Sequence, residues 1–366
     1  MKSHFYILAI NPGSTSTKIA IFKNEELVFK QNIYHNDQEI ASFERTWDQY
    51  AYRKKEIIEF IREKNFDMKQ LSCVVGRGGL FRPVISGTYQ INENTLEDAR
   101  EAVQGDHASN LGCILAYGIA WDFNIPSYIV DPPSVDEMEA VARISGHVKI
   151  KRRSLLHALN IKAMARSAAQ ELKRPLNDLN LIVAHMGGGI SITPIRHGRM
   201  IDTNNALSGG PFSAERTGNL PMMDILEYIF DNNLSLKESK KLVMGNGGMV
   251  SYIGTKSMID AAERYEKGDS RAQLVIHAMA YQISKEIGAM ATTLNGAIDA
   301  IILTGGAAFC NILVSLIQER IGFLGRIILL PGEDEMIALA QGALRVLRGE
   351  EQPLVYPTQI EYEELF

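Results

Sequence analysis

Asn11-Pro12-Gly13-Ser14-Thr15-Ser16-Thr17-Lys18 joins two short β-prone runs, Phe5–Ile10 and Thr17–Phe22. Its small residues let the backbone come close to an anion. Ser14, Ser16 and the neighbouring amides can donate hydrogen bonds, and Lys18 adds positive charge. An ordinary β-turn uses the same residue types, because Asn, Pro, Gly and Ser favour chain reversal wherever strands turn back. Recurrence separates the two readings. Leu181–Ala184 is a second buried run, His185-Met186-Gly187-Gly188-Gly189 a glycine turn, and Ile190–Ile195 the returning strand. Two such turns facing one another would grip one polyphosphate from both sides. Thr304-Gly305-Gly306-Ala307 then follows the strand Ala300–Leu303 and precedes an apolar helix, a place where amides and a helix start attract an anion or a nucleoside's polar edge.

Outward from the first turn, Leu27–Ile33 completes an antiparallel meander. Lys54–Lys64 is a helix with Ile57, Ile58 and Ile61 on one face, and Ser72–Val75 is a strand running into Gly76-Arg77-Gly78-Gly79. A helix over Asn110–Ala120 leads to the strand Ser127–Val130, which ends at Asp131-Pro132-Pro133. This is the element order of a ribonuclease-H-like half. After a helix over Leu155–Leu172 the theme returns, with helices at Asp224–Phe230, Ser270–Leu294 and Ile337–Leu347. The expected fold is therefore α/β, with two ribonuclease-H-like domains of duplicated topology and an inter-domain cleft. The first domain is expected to span residues 1–150 plus a C-terminal helix 337–366, and the second residues 151–336 with the nucleotide site.

With 366 residues the chain suits two domains that each bury a core. Its 46 % hydrophobic and 22 % charged residues fit a soluble globular protein, excluding a disordered one. A net charge of −5 argues against nucleic acid, and no stretch approaches the ~20 apolar residues of a membrane span. Cys73, Cys113 and Cys310 are too scattered for a disulfide framework or thiolate zinc site, which fits a reducing cytoplasm. Rival nucleotide motifs fail. In Gly254-Thr255-Lys256-Ser257 the Lys is out of place for a Walker loop, and no G-x-G-x-x-G follows a strand with a suitably spaced acid.

Four ordered segments carry a resemblance: Asn11 to Lys18, Ala184 to Ser191, Glu215-Arg216-Thr217-Gly218-Asn219-Leu220-Pro221, and Pro331-Gly332-Glu333-Asp334-Glu335. The chain resembles the acetate and butyrate kinase family, within the superfamily of sugar kinases, actin and heat-shock ATPases, from Ile7 to about Leu347. The resemblance implies transfer of the ATP γ-phosphoryl group to the carboxylate of a short-chain fatty acid, with ATP/ADP and Mg²⁺ as cofactors. It puts Arg216 at the transferring charge, His185 beside it, Arg77 on the acid's carboxylate and His107 near the phosphoryl site, with His157, the histidine kept from F-H-G-T-S-H, as a further catalytic candidate. It also implies a homodimer or higher homo-oligomer, through the second domain. Acetate kinases carry R-V-V-H-G-G where this chain has Val74-Val75-Gly76-Arg77-Gly78-Gly79, and F-H-G-T-S-H where Leu156-His157-Ala158-Leu159-Asn160-Ile161 keeps only the first histidine. Both departures resemble butyrate and branched-chain fatty acid kinases.

Plainer readings stand beside these. Asp131 suits a Mg²⁺-water ligand after its strand, yet Asp before Pro-Pro is a common turn former. Glu333 has Asp334 and Glu335 as competitors for a metal, and the three together could cap the final helix. Lone histidines such as His107 and His157 are commonly structural, Lys149-Lys151-Arg152-Arg153 reads as a solvated face, and Met222 and Met223 as core filler. Acetate or propionate kinase shares every phosphate motif, and a nucleotide-binding switch of the actin or heat-shock type is the rival from another class.

Overall fold

The computed structural model of the chain describes residues 4–207 and 209–357, which divide into two compact units. The first unit comprises residues 4–136 and 334–357. Its strands are β1 (Tyr6–Pro12), β2 (Ser16–Lys23), β3 (Glu26–Tyr34), β4 (Leu71–Arg77), β5 (Thr88–Gln90), β6 (Ser127–Val130) and, in the C-terminal segment, β12 (Leu354–Val355). They form one sheet in the order β12-β5-β6-β4-β1-β2-β3. β1, β2 and β3 make the antiparallel meander, and β4 then runs parallel to β1 and β6 parallel to β4. Ile7, Leu8, Ala9 and Ile10 of β1 are all fully buried, as a central strand covered on both faces requires.

The helix Leu111–Asp122 lies against β4 so closely that glycine is needed on both sides. A Cβ on Gly76 would sit 2.0 Å from the Gly112 carbonyl oxygen, and one on Gly112 2.2 Å from that of Arg77. The Gly76–Gly79 run is thus partly a packing device. The last helix, Glu335–Arg348, is shorter than residues 337–366 because Gly349, at φ 75°, closes it in the left-handed region. Residues 358–366 of that expected helix lie outside the described residues.

The second unit, Glu137–Glu333, holds β7 (Asn180–Met186), β8 (Ile190–Arg196), β9 (Arg199–Met200), β10 (Ala300–Gly305) and β11 (Ile327–Pro331). Their order is β11-β10-β7-β8-β9. β7–β9 repeat the meander of β1–β3, and β10 and β11 take the parallel places of β4 and β6. The topology is duplicated. The helix Ser270–Thr293, capped by the Asp269 carboxylate on the Arg271 and Ala272 amides, buries Ala272, Val275, Ile276, Met279 and Ile283, a helical stripe against the sheet.

Two readings of side chains are corrected here. Met222 and Met223 are 70 % and 66 % exposed on the helix Met222–Asp231, which has no buried residue and so is no core element. Arg152 is not part of a solvated face, because its guanidinium donates to Asp202 Oδ1 and the Thr203 carbonyl, both at 2.8 Å. Among the described residues, no helix is long and apolar enough to cross a membrane.

Candidate active site

In the first unit the two ends of the β1–β2 turn meet in register, Asn11 opposite Lys18. The Gly13 amide donates to the Ser16 carbonyl at 2.7 Å and tightens the loop. Ser14 and Lys18 are exposed and Ser16 partly so, as a binding surface requires. Asn11 Nδ2 and Arg77 Nη1 both donate to the carboxylate of Glu335, at the first turn of the last helix. Three distant segments, the ends of β1 and β4 and the start of that helix, thus converge on one carboxylate. Arg77 is buried and Glu335 mostly so, which strengthens the pair over a surface one.

Asp131 follows β6 with φ 38° and is fully buried. Its Oδ1 accepts from Ser86 Oγ at 2.6 Å and from the Gly87 amide at 2.8 Å. His107 is exposed and caps a short 3₁₀ turn, accepting from the Ser109 amide at 3.2 Å.

In the second unit His185 ends β7, 1 % exposed, between Ser191 on β8 and Thr304 on β10. Its Nδ1 lies 2.8 Å from Asn160 Oδ1, and its Nε2 lies 3.4 Å from Glu333. The His157 ring stacks on it with centroids 4.0 Å apart, and His157 Nδ1 reaches Ser191 Oγ at 2.8 Å. The two predicted histidines are brought together. With Asn160 accepting the Nδ1 proton, His185 Nε2 is the atom turned toward the acid chemistry of Glu333. Asn160 carries no sequence signal beyond its place three residues after His157.

The glycine turn beside them is shaped around an arginine. Ser213 Oγ donates to the Gly188 carbonyl at 2.6 Å, and Arg216 Nη1 donates to the Ala206 carbonyl at 2.6 Å. A Cβ on Gly189 would fall 2.0 Å from Arg216 Nη1, so this glycine makes room for the guanidinium. Burial lowers the Arg216 pKa, opposed by the neighbouring Glu215 carboxylate. Gly305, at φ 88°, presses onto the Met186 carbonyl, where a Cβ would lie 2.4 Å away. The glycine elements after β7 and β10 therefore adjoin, with Gly306 opening the turn that follows.

The three acids near residue 334 take separate tasks. Glu333 faces His185, Asp334 caps the last helix by accepting from the Ile337 amide at 3.2 Å, and Glu335 holds Arg77 and Asn11. Among the described residues no three of His, Cys, Asp and Glu gather as a closed metal cage. Mg²⁺ in phosphoryl transfer needs only one or two carboxylates beside phosphates and water, and the hard oxygen donors of Asp131 and Glu333 suit that chemistry.

Residues 143–328, just over half of the chain, match the Acetokinase family. The chain belongs to that family. Its activity is accordingly that of a phosphotransferase, with ATP as donor and a carboxyl group as acceptor. Among solved structures it is similar to the acetate kinase of Porphyromonas gingivalis, at TM-score 0.76 and 15 % identity, with 93 % of this chain and 99 % of that one covered. It is also similar to a propionate kinase from Francisella tularensis, at TM-score 0.72 and 20 % identity over 92 % and 98 % of the two chains. The acetate kinase of Entamoeba histolytica matches at TM-score 0.71 and 16 % identity over 92 % and 98 %. These likenesses establish the two-domain α/β fold.

Proposed function

We propose that this family member is a butyrate-type kinase, which reversibly phosphorylates butyrate or a similar straight or branched short-chain acid. The observation that carries the acid-binding part is Arg77, a buried guanidinium already engaged with a carboxylate, that of Glu335. The chain-length part rests on the departures at Val74–Gly79 and Leu156–Ile161. Acetate or propionate is the second reading. It has the acetate and propionate kinases among the structural neighbours on its side, more direct support than butyrate has, although fold likeness at 15–20 % identity does not report the volume of an acid pocket.

A carboxylic acid with an ordinary pKa near ~4.5 is ionised at neutral pH, so its oxygen attacks without a general base. The work left to the protein is orientation and charge neutralisation. Arg216, half-buried against Gly189, is suited to the equatorial oxygens of the transferring phosphoryl group, with His185, its Nδ1–H held by Asn160, as the neighbouring group. Lys18, Ser14 and Ser16 in one unit, and Gly187, Gly188, Gly305 and Gly306 in the other, offer donors to the nucleotide. Mg²⁺, when bound, would offset phosphate charge, with Asp131 in the first unit and Glu333 in the second each a candidate carboxylate for it.

A homo-oligomer formed through the second unit is supported by the exposed apolar residues Met222, Met223, Leu226 and Phe230 of the helix Met222–Asp231. A reducing cytoplasm is supported by the three unpaired cysteines, two of them buried, with the Cys113 thiol pushed up to about 12 by burial.

The test is coupled ADP release with ATP, Mg²⁺ and acids from acetate to valerate, with hydroxylamine trapping of acyl phosphate. The expected result is hydroxamate formation greatest with butyrate or a branched relative. A maximum at acetate or propionate establishes the second reading. ATP binding with no acid-dependent product at any chain length overturns the kinase assignment in favour of a nucleotide switch.

A further inference from the structure

The helix Tyr50–Glu63 carries an arginine, Arg53, that is 0 % exposed. Its donors are almost all spent on one loop. Nη1 donates to the carbonyls of Gly13 at 2.7 Å and Ser16 at 3.1 Å and to Thr17 Oγ1 at 3.1 Å, and Nη2 to the Ser14 carbonyl at 2.8 Å. Gln49 Oε1 orients the fork by accepting from Nε at 3.0 Å and from Nη2 at 2.7 Å. The remaining carbonyl of the loop, that of Thr15, accepts from the His35 amide at 3.0 Å.

Two consequences follow from chemistry. The carbonyls of the β1–β2 turn are drawn to its inner side, whereas among the described residues the Ser14 and Thr15 amides enter no hydrogen bond and both residues are exposed. Successive amides left outward in this way make an anion-binding concavity. The second consequence concerns charge. Among the described residues no carboxylate pairs with Arg53, and burial draws its pKa down only to about 10, so it stays cationic at neutral pH. A buried cation held only by neutral oxygens is expensive to keep unless an anion arrives to balance it.

We propose that Arg53 is a positioning residue for phosphoryl transfer, which fixes the Gly13–Ser16 turn with its amides outward and lends the nucleotide phosphates a positive charge from beneath. The proposal rests on the reading of that turn as a phosphate cradle, and the counter-ion of Arg53 is then the substrate itself.

The experiment titrates ATP and adenosine separately into the full-length protein and its variants, alongside thermal unfolding. Arg53→Met is expected to weaken ATP at least about tenfold relative to adenosine, the weight of one charge-assisted hydrogen bond or more. Arg53→Lys, which keeps the charge and loses the fork, is expected to fall between it and the wild type. Should Arg53→Met fail to fold, Arg53→Lys and Gln49→Leu decide, each expected to shift the ATP-to-adenosine ratio. A lowered unfolding temperature with that ratio unchanged in every folded variant overturns the proposal, leaving Arg53 a purely structural clamp. Thr15→Glu separates this failure from that of the cradle reading. If it weakens ATP while the Arg53 and Gln49 variants do not, the proposal alone falls. If it too leaves ATP affinity unchanged, the turn is no phosphate cradle and both fall.

Discussion

The turn after β1 and the turn after β7 occupy equivalent places in two copies of one topology, and each is built around an arginine used in an opposite way. Arg53 approaches its turn from the core, is wholly buried and gathers carbonyls. Arg216 lies along the edge of its turn, where among the described residues its guanidinium makes one hydrogen bond, to the Ala206 carbonyl, and is given space by the missing side chain of Gly189. The first arginine gathers its loop from within, and the second leaves most of its guanidinium at the edge of its turn. Duplication thus supplied two glycine turns of the same plan, and local packing set an arginine differently against each.

The largest effect expected from breaking this difference is at Arg216. Arg216→Ala should lower the rate of acyl phosphate formation ~10³-fold with little change in unfolding temperature, since a transition-state arginine is worth about that much. Steady-state kinetics beside calorimetry checks it, and a loss under tenfold would exclude Arg216 from the transferring charge. A smaller loss, on the order of 10²-fold, is expected for Gly189→Ala. The new Cβ meets first the far end of the Arg216 side chain, 2.0 Å from Nη1, and next the Ala206 carbonyl oxygen at 3.0 Å, so the guanidinium is displaced from its place on that carbonyl. A wild-type rate in that variant would mean the guanidinium need not sit there.

The smallest effect belongs to the first turn alone. His35 Nε2 lies 2.8 Å from Thr17 Oγ1, and burial, with the Arg53 charge second, lowers the His35 pKa from 6.5 to about 4. The unfolded histidine takes up a proton below pH 6.5 and the folded one only near 4. Stability is therefore complete above 6.5 and declines as pH falls through that window. Denaturant unfolding at a series of pH values should show this decline in the wild type and a flatter profile in His35→Gln. Identical profiles would exclude His35 as the source.

Both turns were legible in the sequence because Gly, Asn, Pro and Ser between β-prone runs leave little choice of local structure, and the recurrence of that pattern made the duplicated fold legible with them. β5 escaped notice, since three residues, Thr88–Gln90, give no alternation to detect. The stacking of His157 on His185 depends on the side-by-side placement of a helix start and a strand end, which no spacing reveals. Arg53 was missed for a different reason. The helix begins at Tyr50, ahead of the expected Lys54, which puts Arg53, Ile57 and Ile61 at successive intervals of four along the one buried stripe. An arginine on an apolar stripe is a usable signal, hidden here by its charged neighbours Lys54, Lys55 and Glu56.

The first unit takes six of its strands from residues before 137, and its last helix and edge strand β12 from residues after 334. That helix is fitted closely, because a Cβ on Gly342 would lie 2.6 Å from the Val130 side chain. On the ribosome, which delivers the chain from its N-terminus, the second unit emerges whole while the first still waits for its closing piece. Asn11 and Arg77 meet Glu335 only after the whole second unit has been made. A nascent chain stopped before Glu335 consequently carries the turn sequence without the carboxylate that Asn11 and Arg77 share, and the enzyme's two halves mature in the reverse of the order in which they begin.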